Sequence, residues 1–258
     1  MPLSDKVALI TGGGSGMGRV AAQTFASKGA TVALFDVNTS GMKETSHGND
    51  NIHCYTIDIT SRADIATAVA QVASDLGEIH RVYNCAAIMP FGNVLEQETA
   101  VIHKLMEINY GGFVNIMKAT LPAMVKRGSG DFVSFASMAG IQPALLMGGY
   151  NASKAAVAML TEVVYHENRD SGVRFACVCP PPVATPLLKQ GKDTAWPKLM
   201  QEQEGSELQP IEVIEDIETA LDKGEFWIFP GKSTRMGYRM RRWFPNYTWN
   251  YIHKLEGW

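Results

Sequence analysis

Tyr150 and Lys154 stand four residues apart, and Ser137 lies thirteen before the tyrosine, in the stretch SMAGIQPALLMGGYNASK. On a helix a four-residue step returns to the same face, which would set the Lys154 ammonium beside the Tyr150 phenol. A phenol near pKa ~10 is a poor base at neutral pH, and a neighbouring cation lowers that value. Ser137, at the end of the preceding strand, would donate a hydrogen bond to a substrate oxygen. Together these groups suit moving a proton on or off an alcohol while something else takes the hydride. The pair alone says little. Tyrosine and lysine at this spacing also occur on any amphipathic helix, one packed and the other solvated.

The other end of the chain changes its weight. Residues 7–10 (VALI) are apolar and β-prone, TGGGSGMG follows at 11–18, and RVAAQTFASKG has helical spacing closed by Gly29. The next strand, ATVALFDVN, carries Asp36 at its end. Gly12, Gly16 and Gly18, between a strand and a helix, suit the close approach of a pyrophosphate to a helix N-terminus. Their spacing is Gly-x-x-x-Gly-x-Gly, so the commoner Gly-x-Gly-x-x-Gly fingerprint does not apply. A glycine cluster is often only a tight turn. Here the flanking strand and helix, with an acid ending the next strand, point to a dinucleotide. Asp36 would accept hydrogen bonds from both adenosine ribose hydroxyls and repel a 2′-phosphate. Ser15 and Val37 fill the loop positions where a phosphate-selective site would want a basic residue. NAD(H) is the expected cofactor.

These groups need elements to hold them. Further strands are expected to end at 56–60, with Asp58, and to span 81–87, 131–136, 173–179 and 226–231. Helical patterns occupy 61–76, 96–126 (broken near Pro122), 150–170 and 212–222. Strands alternate with helices and are continuously apolar, the pattern of a parallel sheet covered on both faces. The expected fold is α/β: a Rossmann-type, doubly wound parallel sheet of about seven strands, in a single domain over residues 1–258. Residues 185–225 read as a substrate cover, and 232–258 as an aromatic and basic tail.

At 258 residues, 46% hydrophobic and 19% charged, the chain can bury a sizeable core. A net charge of −3 argues against nucleic acid as a partner. Cys54, Cys85, Cys177 and Cys179 fall in apolar runs, and no second close pair completes a zinc site. Buried reduced thiols in a reducing, cytoplasmic setting are expected. The six histidines are scattered, so no metal is expected. The start, MPLSDKVALI, lacks a charged leader with a long apolar core, and no run approaches the ~20 residues of a membrane span.

With the glycine loop, Ser137 and the Tyr150/Lys154 pair in this order, the chain resembles the short-chain dehydrogenase/reductase family, in its compact single-domain branch. The resemblance covers about residues 4 to 188. It implies that Gly12, Ser15, Gly16 and Met17 line the pyrophosphate and ribose, with Asp36 on the adenosine ribose. Asp58 and Ile59 would meet the adenine. Asn84 matches the first asparagine of the family's Asn-Asn-Ala-Gly, from which Cys85 and Ala87 depart. Asn109, in EINYGG, matches the asparagine that kinks a helix and holds a water near the lysine. After the sixth strand the family has Pro-Gly-x-Val-x-Thr. Here Pro181 stands in place of the glycine, fixing φ near −65° and removing an N–H. Val183 would still present backbone groups to the nicotinamide carboxamide, and Thr185 its hydroxyl.

The implied reaction is hydride transfer between nicotinamide and a carbinol carbon. In it Tyr150 is the acid/base and Ser137 polarises the substrate oxygen. Lys154 lowers the tyrosine pKa and binds ribose, and Asn109 completes a water-linked proton path. The alternative is a non-catalytic NAD(H) sensor or scaffold, whose mark would be loss of the tyrosine or lysine; both are present. Met138, Leu145 and Leu187, with Ser137, are expected at the substrate, and Met89, Phe91, Gln142, Met147, Leu188, Trp196 and Met200 nearby. Their apolar character favours a hydrophobic secondary alcohol or ketone. Alanine-rich faces on the helical stretches at 96–117 and 150–170 suggest a dimer or tetramer. The tail would cover a neighbouring subunit or the substrate mouth. Contact with an anionic membrane surface is the second reading, set back because the arginines show no clean amphipathic period.

Overall fold

The computed structural model describes residues 3–258; Met1 and Pro2, the first residues of the stretch read above for a leader, lie outside them. Seven strands form one parallel sheet: β1 (Val7–Thr11), β2 (Thr31–Asp36), β3 (Ile52–Thr56), β4 (Ile79–Asn84), β5 (Gly130–Phe135), β6 (Val173–Val178) and β7 (Trp227–Ile228). Their order is β3-β2-β1-β4-β5-β6-β7. The chain winds outward from β1 to β3, then returns to β4 and winds the other way. The crevice between β1 and β4, at the carboxyl ends of the strands, is therefore the topological switch point. This is the Rossmann-type, doubly wound α/β fold expected from the alternation of elements.

Both faces of the sheet are covered, which is why its strands are apolar without interruption. Alternate side chains of β1 go to opposite cores. Ala8 and Ile10 join a cluster with Phe25 of α1 (Gly16–Ser27) and Ile214 and Ile217 of α9 (Pro210–Asp222). Val7 and Leu9 join a cluster on the other face. It includes Ile65 of α3 (Arg62–Asp75), Ile116 and Met124 of α5 (Phe113–Arg127) and Val157 of α6 (Gly148–Glu167). A third cluster gathers Met89, Phe91, Met147, Tyr150, Leu199 and Ile252. It lies among the segments that follow the strands.

One row of charge crosses the sheet interior. Arg81 pairs in register with Asp131, and Asp131 with Arg174, on β4, β5 and β6. Asp131 is fully buried and accepts from Arg81 Nε at 2.9 Å and Arg174 Nε at 2.6 Å. Arg81 Nη1 also donates to both oxygens of Glu218 on α9, and Tyr83 donates its hydroxyl to the same carboxylate at 2.7 Å. Burial alone would raise the Asp131 pKa, but the two arginines hold it below the usual carboxylate range.

Several elements depart from the sequence reading. The third strand is Ile52–Thr56, so Asp58 and Ile59 sit in the loop after it. The long helical stretch breaks between α4 (Thr99–Met106) and α5, in a wide π turn at Glu107–Gly112, and not at Pro122. Pro122 stays inside α5, where it leaves the carbonyl of Lys118, an exposed residue, without its usual N–H donor. An unforeseen α2 (Thr39–Ser46) follows β2, capped by the Asn38 side chain on Gly41 N. β7 keeps only two residues of the stretch read as a last strand. Cys54 is exposed, not buried, because its strand lies at the sheet edge. The tail folds into α10 (Thr234–Trp243) and α11 (Pro245–Glu256). Among the described residues no helix is long and apolar enough to cross a membrane, and no group of three or more His, Cys, Asp or Glu is placed to hold a metal ion.

Candidate active site

The glycine loop sits at the switch point because only glycine fits there. A Cβ on Gly12, whose φ is +68°, would come within 2.8 Å of the Ala86 backbone after β4. A Cβ on Gly18 would fall 2.3 Å from the Gly12 carbonyl oxygen, closing the turn on itself. Behind the loop, Arg19 donates to the Gly14 carbonyl at 2.6 Å and pairs with Glu44 at 2.8 Å. Asp36 accepts from Gly14 N and Asn38 N, both at 2.8 Å, which fixes its carboxylate at the rim of the loop.

These groups border a hollow of about 400 Å³. Gly12, Ser15, Gly16, Met17, Gly18, Asp36, Asp58, Ile59 and Thr185, read above as cofactor neighbours, all line it. Asp58 is held by Thr60, whose N–H and hydroxyl donate to it at 2.9 and 2.8 Å. Asn84 does not line the hollow. It lies one layer back, where its Oδ1 accepts from Thr11 Oγ1 at 2.7 Å, and Thr11 Oγ1 in turn takes the Ala86 N–H. The wall is made instead by Cys85, Ala86, Ala87 and Ile88, with Lys104 of α4 and Ile108 of the π turn. Burial pushes the Cys85 thiol up, so it stays protonated.

A second hollow of about 940 Å³ shares Met17, Cys85, Ala87, Thr185 and Leu187 with the first. Ser137, Tyr150 and Lys154 lie on its wall. Ser137 lies two residues beyond β5 and caps a short 3₁₀ turn at Met138–Gly140, accepting from Ala139 N at 3.1 Å. That turn packs directly on α6, since a Cβ on Gly140 would stand 2.6 Å from the Lys154 carbonyl carbon. Tyr150, in the first turn of α6, is only 5% exposed. Lys154 follows one turn on, buried, and its Nζ donates to the Phe135 carbonyl at 2.8 Å.

The electrostatics differ from the sequence expectation. Burial pushes the Tyr150 phenol up to about 12, and the Ser137 hydroxyl pulls it only partly back. The Lys154 ammonium, anchored on Phe135 and 5.9 Å from the centre of the phenol ring, is not among the groups that lower it. Burial also brings Lys154 itself down to about 8. Desolvation acts on both groups in the direction that removes charge.

Asn109 sits in the π turn, where the extra residue per turn swings it toward the loop after β4. Its Oδ1 accepts from Ile88 N at 2.8 Å, and its Nδ2 donates to Ile88 O and Ser153 Oγ, each at 3.0 Å. Ser153 in turn donates to the Tyr150 carbonyl at 2.9 Å. The side chain is thus spent on fixing the two segments around the tyrosine and lines neither hollow.

Most of the apolar residues read as substrate neighbours are on the larger wall: Met89, Phe91, Met138, Met147, Leu187, Leu188 and Met200, with Gln142. Leu145 and Trp196 are not. Leu145 packs against the third cluster while Ala144 and Met147 on either side face the hollow. Trp196 stacks behind Phe91 with ring centres 6.2 Å apart, and Phe91 presents its other side toward Tyr150. Helix α7 (Pro186–Lys192) and the residues just after it are tied down by Gln190 and Thr194, which accept the N–H groups of Met89 and Phe91. Val183 lines this hollow, bridged to Leu208, and its carbonyl takes the Thr185 hydroxyl at 3.2 Å. The three prolines 180–182 form part of the same wall, and the Pro180 carbonyl accepts from Met138 N.

A family model described as short chain dehydrogenase matches residues 6–196. The chain belongs to the short-chain dehydrogenase family. Within it, the chain is 31% identical over 210 residues to 17-beta-hydroxysteroid dehydrogenase 13 of Mus musculus, covering 78% of this chain and 68% of that protein. It is 33% identical over 201 residues to 2-(S)-hydroxypropyl-CoM dehydrogenase 3 of Xanthobacter autotrophicus, covering 75% and 78%. The structure of a short chain dehydrogenase/reductase from Burkholderia phymatum in complex with NAD superposes with a TM-score of 0.84 at 26% identity, covering 94% of each chain. Membership of this dehydrogenase family makes the chain an oxidoreductase.

Sequence reasoning missed the residues that act through the chain's third dimension. Asn115 of α5 holds Ile59 and Thr60 by their carbonyls at 3.0 and 3.2 Å. Gln190 and Thr194 lie about a hundred residues from the backbone they hold. No local spacing signals such contacts.

Proposed function

We propose that this dehydrogenase interconverts a hydrophobic secondary alcohol and its ketone with NAD(H) as the redox partner. The observation that carries the reading is the position of the Tyr150 phenol. It is buried beside Ser137 and Lys154 on the wall of a large, mostly apolar hollow, which opens onto the glycine-lined one. The loop suits the cofactor, since a Cβ at Gly12 or Gly18 would collide with the backbone that shapes the turn, and Asp36 stands where it would accept ribose hydroxyls. Arg19 is committed to loop carbonyls and Glu44, so it does not offer a site for a 2′-phosphate. The relative from Burkholderia phymatum was solved with NAD, which supports the same choice here. Bound NAD(H) supplies or takes the hydride.

The chain's own residues handle the proton and the oxygen. Tyr150 donates to the ketone oxygen in reduction and accepts from the alcohol in oxidation, and Ser137 donates a hydrogen bond to that oxygen. Lys154 binds the ribose and answers the charge of the phenolate when it forms. Asn109 holds α6 and the 88-loop in register.

With the phenol up at about 12, the proton donor for reduction is fully present at neutral pH. Ketone reduction should therefore be flat with pH below about 8, where Lys154 keeps its charge. Alcohol oxidation needs the phenolate and should rise about tenfold per pH unit over the same range. A pH-independent oxidation rate would remove Tyr150 from the proton path. Gly18→Ala should weaken NADH binding by about tenfold or more, because the added methyl meets backbone that must shift. Energy transfer from tryptophan to NADH reads this directly, and unchanged affinity would place the dinucleotide elsewhere.

The function itself is tested by following NADH fluorescence after mixing the protein with NAD and a panel of cyclic, aromatic and terpenoid secondary alcohols. Turnover on apolar members and not on charged sugars is the result expected. NADH binding without turnover on the whole panel would point to a dinucleotide sensor. The same panel addresses the steroid name carried by the mouse relative. Self-association is proposed through α6, where Met159 and Val163 are exposed one turn apart.

A further inference from the structure

The helix α10 exposes side chains that protein surfaces usually cover. Met236, Met240 and Trp243 recur at steps of four and three and share one face. Met236 is 65% and Trp243 71% exposed. Arg235, Arg239 and Arg242 recur at the same steps beside them, a regular stripe that the sequence reading did not recognise. The opposite face is occupied. Thr234 is buried, Tyr238 stacks on Phe229 at 4.9 Å, and Arg241 lies over the Trp249 ring. Beyond Trp243 the exposed surface continues in Phe244 and Tyr247, while Thr248 and Ile252 of α11 turn inward.

Charge follows the same division. Residues 232–258 carry six basic side chains and one acidic, a net +5, so the rest of this −3 chain stands at −8. Arg235 has a surface partner in Glu225, a pair that holds it weakly.

We propose that α10 and the start of α11 form a docking surface for an anionic lipid membrane. The methionine and aromatic side chains would enter the headgroup boundary, with the arginine stripe against the lipid phosphates. A second copy of the chain is the poorer occupant. Pairing about a two-fold axis would set a cationic face against itself. Thr234 and Gly237 of the same helix line the large hollow, so the docked protein holds that hollow beside the lipid.

The test uses the full chain and vesicles of phosphatidylcholine with and without phosphatidylserine, at low and high salt. Co-sedimentation with the phosphatidylserine vesicles at low salt, lost at high salt, is the expected result, with a blue shift of tryptophan emission. Replacing Arg235, Arg239 and Arg242 together by serine should weaken partitioning on the order of a hundredfold. Met236→Ser with Trp243→Ser should weaken it too, while far-ultraviolet dichroism stays that of the unaltered protein. No binding to the phosphatidylserine vesicles, or equal binding by both variants, overturns the proposal. So does a variant that sediments in solution as a smaller assembly than the parent, which would hand the surface to a second copy.

Discussion

Tyr150→Phe is expected to lower kcat by about a thousandfold, the scale of losing a positioned acid–base group. NADH should bind as it does to the parent protein, because the ring that shapes the wall remains and the phenol makes no contact that builds the glycine loop. The ring stays packed against Phe91, with the backbone of α6 held by Ser153 and Asn109. The substitution removes one hydroxyl and leaves its surroundings. Stopped-flow turnover with the best substrate of the alcohol panel, beside a fluorescence titration with NADH, separates the two effects. A kcat within about tenfold of the parent would mean the proton comes from elsewhere.

The second large effect concerns folding. Asp131→Asn should destabilise the protein by about 3 kcal/mol. The change leaves Arg81 and Arg174 facing a neutral amide in the sheet interior, with Glu218 and the exposed Asp222 as their remaining acidic partners among the described residues. For a chain of this size that corresponds to a Tm lower by roughly 6–12 °C. The sign with pH is fixed by the same row of charge. The folded-state pKa of Asp131 is depressed, so its contribution is present above the ordinary carboxylate pKa, near ~4, and is lost as pH falls through the lower folded value. The variant should accordingly lose its deficit relative to the parent as both approach acid unfolding. A denaturation midpoint equal to the parent's at pH 7 would show that the ionic row adds nothing.

The two effects mark where the sequence was readable and where it was not. The glycine loop, Asp36, Ser137, Tyr150 and Lys154 lie in short segments whose element types follow from local pattern. Because strands of a doubly wound sheet end on one side, those segments converge. Asp131 and its arginines lie on three strands separated by 43 to 50 residues. Their meeting depends on register, which apolar runs do not encode. Asn84 and Asn109 were placed on the cofactor or in the proton path by resemblance, yet their amide groups turn to Thr11, Ile88 and Ser153.

The break in the helix between Thr99 and Arg127 was placed near Pro122 by local pattern, while the resemblance put a kink at Asn109, where the structure has it. A proline is a visible helix breaker, while the π turn that does the breaking arises from packing. Gly112 closes on Ile59, where a Cβ would lie 2.4 Å from the isoleucine side chain, and Asn109 reaches the 88-loop. The phenol's pKa was misjudged because spacing puts Lys154 near Tyr150 but does not show how far each is buried. The arginines of the tail look irregular in the sequence until Pro245 is seen to divide two helices, after which Arg235, Arg239 and Arg242 fall in line.

The account rests on a substrate oxygen meeting the Tyr150 hydroxyl inside the larger hollow. A crystal structure of the protein with NAD and the ketone of its best alcohol substrate measures that contact directly. The ketone oxygen should lie about 2.6–3.2 Å from both the Tyr150 and Ser137 hydroxyls, with its carbonyl carbon facing the nicotinamide. A ketone bound away from Tyr150, or a nicotinamide outside the space between the two hollows, would contradict it.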